Sequence, residues 1–317
     1  MKTALQTTIL TAITLSLPIS TLAQQTETKV TARNVIGSEN VKRNSSGTLA
    51  IQNGEFHFTT TNSDAKVVIA SIDDIVVGSE VTQAGGKAGT VAKTAAMAAP
   101  YDSGAVLSVM LRTTTDIVTI AYRDSGGGLH YAILALPKGQ GDPQRSALIA
   151  AGARVNNPIE NAESKERTVA PGAAGSHGQK LTASAIQIEP VGADDVRIPL
   201  EFRAAIYEFL VERVRASGVF RQVFRSGDRA AESVSNLVTL HVDVEKFKEG
   251  SEMKRELTTV LGSTKLTVDA SVTTKDGRSV LDDNIQGKVL FHGENLGVTD
   301  DVAKRIAKLL KNSFTTT

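Results

Sequence analysis

Between residues 237 and 247 apolar and polar side chains alternate, without a break from Val238 to Glu245. Val238, Leu240, Val242 and Val244 fall on one side of an extended chain, and Thr239, His241, Asp243 and Glu245 on the other. A period of two belongs to a strand with one buried and one wet face, and a helix cannot gather that pattern into one stripe. Leu266, Val268, Ala270 and Val272 repeat it, and Asp276-Gly277 then turns the chain into a further strand. Strands of this kind must be covered on their apolar side. Two helices are available. Phe202, Ile206, Phe209, Leu210 and Val214 recur at helical spacing, Pro199 suits the first turn, Asp194 or Asp195 can cap it, and Ser217-Gly218 ends it. From 300 to about 311, Val302, Ile306, Leu309 and Leu310 form a second stripe behind Thr299 as cap, leaving Lys304, Arg305, Lys308 and Lys311 to solvent. With short strands expected at 185–189 and 219–224, residues 181–317 read as β-α-β-β-β-β-α. That order gives a mainly antiparallel sheet with both helices on one face.

A second β-rich unit is expected over 47–152. Leu49, Ile51, Phe56 and Phe58 flank Asn53-Gly54, a strong hairpin dipeptide. Further strand patterns cover 66–77, 106–111, 117–122 and 130–136. Pro143 stands where a short helix would start and Gly152 where it would stop. The overall class is therefore α+β, with a small antiparallel, barrel-like β domain and a short helix ahead of the second domain. Residues 153–180 carry prolines, glycines and mixed charges with no hydrophobic period, which reads as a flexible linker. Residues 24–46 are polar and aperiodic and are expected to be disordered, and the Gly- and Ala-rich stretch 85–104 reads as a loop.

The first 23 residues set the address. Lys2 precedes an apolar run over 9–22, and Thr21-Leu22-Ala23 offers a small residue before a cut near Ala23, the pattern of a cleaved secretory signal. The expected location is periplasmic or secreted. There is no cysteine, so thiol catalysis, disulfides and lipid attachment through a cysteine are excluded. A net charge of +1 provides no field to gather nucleic acid or an anionic membrane. Aromatic residues at 4% with no Trp leave little for base stacking or sugar binding.

Chemical motifs are sparse. His241 and Asp243 share a strand face, and His292 on a neighbouring strand would complete a metal site; a solvated polar face explains them more simply. Residues 86–94 combine glycines with Lys93-Thr94, but Ala92 stands where a phosphate-cradling turn needs Gly. In Gly175-Ser176-His177-Gly178 a hydroxyl adjoins an imidazole, yet a linker cannot hold them in catalytic geometry. Asp73-Asp74, Asp194-Asp195, Asp282-Asp283 and Asp300-Asp301 read as turns or helix starts. No cofactor is implied. The connection 250–262 is long for a hairpin, and its Met253, Leu257, Val260 and Leu261 are apolar enough to touch a partner.

Residues 181–314 resemble an uncharacterised-domain (DUF) family of Gram-negative envelope proteins and lipoproteins. The likeness rests on Arg215-Ala216-Ser217-Gly218-Val219-Phe220, on Val238-Thr239-Leu240-His241-Val242 and on Gly262-Ser263-Thr264-Lys265-Leu266-Thr267-Val268-Asp269. It implies a small α/β module accessory to envelope machinery and carries over no catalytic residue. Residues 47–152 look like a small β domain of the pleckstrin-homology or GRAM kind, through Ser71-Ile72-Asp73-Asp74-Ile75 and the hairpin and helix after 117. No basic cluster accompanies it, so lipid-head binding does not transfer. The expectation is an exported, non-enzymatic module that contacts another envelope protein. The alternatives are a lipid binder through the first domain and a metal enzyme at His241 and Asp243. On this reading, hydrophobic burial in two separate sheets accounts for nearly all ordered residues, leaving no buried polar group set aside for making or breaking bonds.

Overall fold

The computed structural model describes residues 28–83, 112–155, 180–194, 196–250, 264–289 and 296–315. The first half is a seven-stranded sheet formed by β1 (Thr28–Ile36), β2 (Ser45–Gln52), β3 (Glu55–Thr59), β4 (Asp64–Val68), β5 (Ile72–Gln83), β6 (Arg112–Arg123) and β7 (Leu129–Pro137). Its order is β4-β3-β2-β1-β7-β6-β5, and every pairing is antiparallel. Asn53 and Gly54 both have positive φ, at 54° and 75°, the backbone that their dipeptide favours between two tightly paired strands. Helix α1 (Gly141–Ala150) follows, carries Pro143 in its first turn and is stopped by Gly152. Leu148 of α1 joins Leu49, Phe56, Phe58, Ile75, Ile120 and Leu134 in the interior of this sheet.

Two expectations are corrected here. The stretch 66–77 is two strands with a 3-10 turn, Ile69–Ser71, at the corner between them; Ile69 and Ile72 are both buried there, which breaks the period of two. Residues 24–46 are not wholly disordered, because Thr28–Ile36 forms β1 in the middle of the sheet, between β2 and β7. Its alternation is hidden by the residue types. Ala32 and Asn34 point inward, and Asn34, fully buried, donates from its amide to the carbonyls of Val41 and Lys42 at 3.3 and 3.4 Å. A bulge between Asn34 and Ile36 then buries Val35 and Ile36 in succession.

In the second half the chain runs through β8 (Leu181–Thr182), β9 (Ala185–Ile188), α2 (Leu200–Ser217), β10 (Gln222–Arg225), β11 (Leu237–Lys248), β12 (Thr264–Thr274), β13 (Ser279–Val289), α3 (Gly297–Ser313) and β14 (Phe314–Thr315). The five-stranded order is β10-β9-β11-β12-β13. Its long ladders, β11 with β12 and β12 with β13, are antiparallel, but short β9 runs parallel to both its neighbours. The parallel β9–β10 pair follows from α2, which carries the chain back to the start of the sheet before β10 begins. Val238, Leu240, Val242, Leu266, Val268 and Val272 share one core with α2 and α3. β14 pairs in parallel with β8, so the end of the described chain closes on the start of this half.

Both helices begin later or earlier than expected. α2 starts at Leu200 behind Pro199, six residues past Asp194, and α3 starts at Gly297, so Thr299 lies inside its first turn and donates to the Leu296 carbonyl at 2.6 Å. Gly218, at φ 63°, closes α2 in the left-handed conformation. Lys304, Arg305, Lys308 and Lys311 are exposed on α3, with Arg305 paired to Asp301 at 2.9 Å. Among the described residues no helix is long and apolar enough to cross a membrane.

The largest departure concerns α2. A helix lying on one sheet needs one apolar stripe, yet α2 buries Phe202, every residue from Ala204 through Val211, and Val214. Its second face lies on the first sheet: Ile117, Ala121, Leu129, Tyr131, Ile133 and Ala135 belong to the same core as Tyr207, Leu210 and Val211. β7 is accordingly buried on both faces from Leu129 through Leu136, with odd positions under α2 and even ones in the interior of its own sheet. The two halves are therefore packed together through α2 rather than separated.

Candidate functional site

The residues singled out in the sequence do not assemble into a site. Met253, Leu257, Val260 and Leu261 lie outside the described residues, as do His177, His292 and the stretch 86–94. His241 sits on the polar face of β11 with Nε2 3.1 Å from the Thr273 hydroxyl. Asp243 is level with Asp269 and is bridged to Gly192, where even a methyl group would lie 1.9 Å from its carboxylate. Among the described residues no three His, Cys, Asp or Glu side chains are grouped so as to hold a metal. Asp300, read as part of a helix-start doublet, accepts from Nε and Nη2 of Arg213 at 2.7–2.9 Å and ties α3 to α2.

What the fold does bring together is a cluster the sequence left unmarked. Beyond its bulge β1 leaves β7, and the last paired residues are Ile36 and Ile133. The edge of β7 at Leu129 and Tyr131 is thus without a strand partner on that side. Gly37 makes the departure possible: its φ is 93°, and a Cβ there would sit 1.7 Å from the Tyr131 carbonyl oxygen. Side chains of the second half take the place of the missing strand. Glu208 of α2 accepts the Tyr131 N–H at 2.8 Å. Leu129 O accepts from the Tyr207 hydroxyl at 3.2 Å and from Arg225 Nη1 at 3.0 Å. Arg225 and Glu208 are themselves joined by two parallel bonds of 2.8 Å, with side chains only 8% and 3% exposed. The Tyr207 oxygen also accepts the Ser226 N–H at 3.0 Å, and the Ser226 hydroxyl donates to Glu189 at 2.6 Å.

Two glycine turns complete the junction. The β6–β7 turn docks on the turn after β10: Leu129 N–H donates to Ser226 O at 2.9 Å, and Arg229 N–H donates to Gly126 O at 3.1 Å. Gly127 and Gly227 meet back to back, each so close to the other's carbonyl that a Cβ would stand 2.7–2.9 Å from it. On the opposite face of β7 lies His130, 4% exposed, with Nε2 3.0 Å from Asp124 and Nδ1 3.4 Å from Glu39. The ring stacks on Tyr122 at 5.0 Å between centroids.

The electrostatics follow from burial and pairing. Burial works against the Arg225 charge, but the Glu208 carboxylate outweighs it and holds the guanidinium protonated well above its ordinary value. Burial pushes the Tyr122, Tyr131 and Tyr207 phenols up, so all three stay neutral, and Tyr207 donates to the Leu129 carbonyl. Burial and then Arg225 push His130 down. Burial would raise Asp124, but hydrogen bonds from His130, Gly128 and Gly126 bring it below the usual carboxylate range. The expectation of two separate sheets that account for nearly all burial is therefore corrected: the sheets share a core through α2, and hydrophobic packing alone leaves the β7 backbone unpaired where β1 departs, so that charged groups supply the bonds. Asp124 and His130 have the relation of a base to its orienting acid, and the other ring nitrogen faces Glu39. A signal for Glu208 was present in Ala204-Ala205-Ile206-Tyr207-Glu208-Phe209-Leu210-Val211, a lone charge inside an otherwise apolar run.

A second feature is an open groove of about 600 Å³ on the outer face of β1, β2 and β3, lined by Lys29, Ser46, Thr48, Gln52, His57 and Thr59. His57 Nε2 lies 3.0 Å from the Glu55 carboxylate.

No protein-family model and no curated protein matches the chain. Solved structures that are similar over part of it include the PelC dodecamer from Paraburkholderia phytofirmans, at 9% identity and a TM-score of 0.32, covering 45% of this chain and 93% of that one. A Xanthomonas campestris protein of the DUF330 family is 12% identical with a TM-score of 0.30, covering 46% and 90%. A hypothetical protein from Chlamydia trachomatis is 9% identical with a TM-score of 0.28, covering 41% and 97%. These likenesses carry no argument about what this chain does.

Proposed function

We propose that this chain is a non-enzymatic binding or assembly module of the bacterial envelope, exported after cleavage near Ala23. One observation carries the reading: the buried ionisable groups converge on the backbone of β7 and on one another. Groups committed in this way fix the two sheets relative to each other. A rigid pair of sheets with polar outer faces suits docking better than turnover. The expected contact is another envelope protein, met through the connection 250–262 with Met253, Leu257, Val260 and Leu261. Affinity purification of the full chain from envelope extracts tests this. The expected result is an envelope component retained by the natural chain and lost when 250–262 is replaced by a short Gly-Ser turn. Identical partner sets for the two proteins would dispose of that contact.

A second reading, lipid binding through the pleckstrin-homology-like or GRAM-like first half, is favoured by the groove holding Lys29 and His57. If it holds, the full chain floats with anionic vesicles at low salt and Lys29→Glu does not. Failure of the natural chain to float removes it.

A further inference from the structure

Each ring nitrogen of His130 faces a carboxylate, Asp124 at 3.0 Å and Glu39 at 3.4 Å. A neutral imidazole has one N–H and can serve only one acceptor, whereas an imidazolium can serve both. Asp124 is the better placed for the single proton. It is nearer, and the N–H groups of Gly126 and Gly128 hold it at 2.8 and 2.9 Å. Nδ1 then makes no hydrogen bond, although it is buried. Neutral His130 therefore completes the glycine turn that docks on the second half, and leaves Glu39 to solvent.

The charged and titratable groups around the ring come from five elements: Glu39 from the β1–β2 connection, Tyr122 from β6, Asp124 from the β6–β7 turn, Glu208 from α2 and Arg225 from β10. Glu208, paired with Arg225, favours a proton on the ring less than the guanidinium opposes it. Glu39 is 53% exposed, so water screens its attraction for a proton on the ring. Burial and the Arg225 guanidinium act without such screening, and both disfavour the imidazolium.

We propose that His130 is a proton-operated joint between the two halves: as the neutral ring it holds the β6–β7 turn against the turn after β10, and as the imidazolium it loosens that docking. Arg225 transmits the change, because its guanidinium grips the carbonyl of Leu129, the residue before His130. A second cation beside it repels that grip, while the new N–H on Nδ1 draws Glu39 and the β1–β2 connection inward. A histidine held below its unfolded value of 6.5 takes up a proton on unfolding. Its contribution to stability is complete above pH 6.5 and is lost as the pH falls through the folded value.

Hydrogen exchange of the whole protein reads the joint directly, through the Leu129 and Arg229 amides that bond across it. Between about pH 7.5 and about pH 5, their protection, corrected for intrinsic rates, should fall by roughly tenfold while the β11–β12 ladder holds. In His130→Gln, which keeps a donor toward Asp124 and cannot titrate, the same amides should be insensitive to pH. Equal losses in the two proteins, or none in the natural one, overturn the joint. Should the variant fail to fold, the imidazole resonances of His130 in the natural protein decide: titration below pH 6.5 supports the proposal and titration at or above it refutes it.

Discussion

Glu208→Ala should cost about 3–5 kcal/mol of folding stability, because it strands the Arg225 guanidinium in a site closed to water. The Tyr131 N–H loses its acceptor in the same change. For a chain of this size such a loss lowers the melting temperature by roughly 10 °C. Removing both charges, as Glu208→Leu with Arg225→Met, should be milder than removing Glu208 alone, since no unpaired charge remains. It should not restore full stability, because Leu129 O keeps Tyr207 as a donor but Tyr131 N–H keeps nothing, a deficit of about 1–3 kcal/mol. A thermal or denaturant melt of the three proteins settles the order. A loss below about 1 kcal/mol in the single variant would mean that water reaches the pair.

Gly37→Ala is the second large effect. The alanine must adopt a φ of 93° and its Cβ would meet the Tyr131 carbonyl oxygen at 1.7 Å, so β1 has to draw back from β7. Backbone strain of about 1–2 kcal/mol adds to a displacement of similar or greater cost, roughly 3 kcal/mol in total. The contrast is Gly54→Ala, where φ is 75° but the space is open. It should cost only the conformational share, about 1–2 kcal/mol. If the two alanines melt alike, the close approach of β1 to β7 plays no part.

Local rules account well for what was legible. The alternation over 237–247 became β11, the Asn53-Gly54 dipeptide became a hairpin turn, and Gly218 closed a helix, each because a short-range preference agreed with the tertiary surroundings. Failures came where the long-range environment set the pattern. β1 offers mostly Thr, Lys, Arg and Asn, and only its central place between β2 and β7 buries Asn34. In α2 the stripe of five apolar residues was real, but Ala204, Ala205 and Val211 are too common to announce a second buried face. The unbroken run Leu129 through Leu136 did carry that information, because a strand wet on one face would alternate. Glu208, Arg225 and His130 are separated by up to 95 residues and meet only through the crossing of α2 over β7, so spacing could not have joined them.

Because α2 serves as the lining of both sheets, neither half is a self-sufficient product. A first piece released by a break within 156–179 would carry a bare hydrophobic back, with Ile117, Leu129, Tyr131 and Ile133 facing water. Such a piece invites clumping rather than independent life. By the same geometry, two fragments cut there after assembly would stay clasped, since what joins them is buried surface and not the covalent thread.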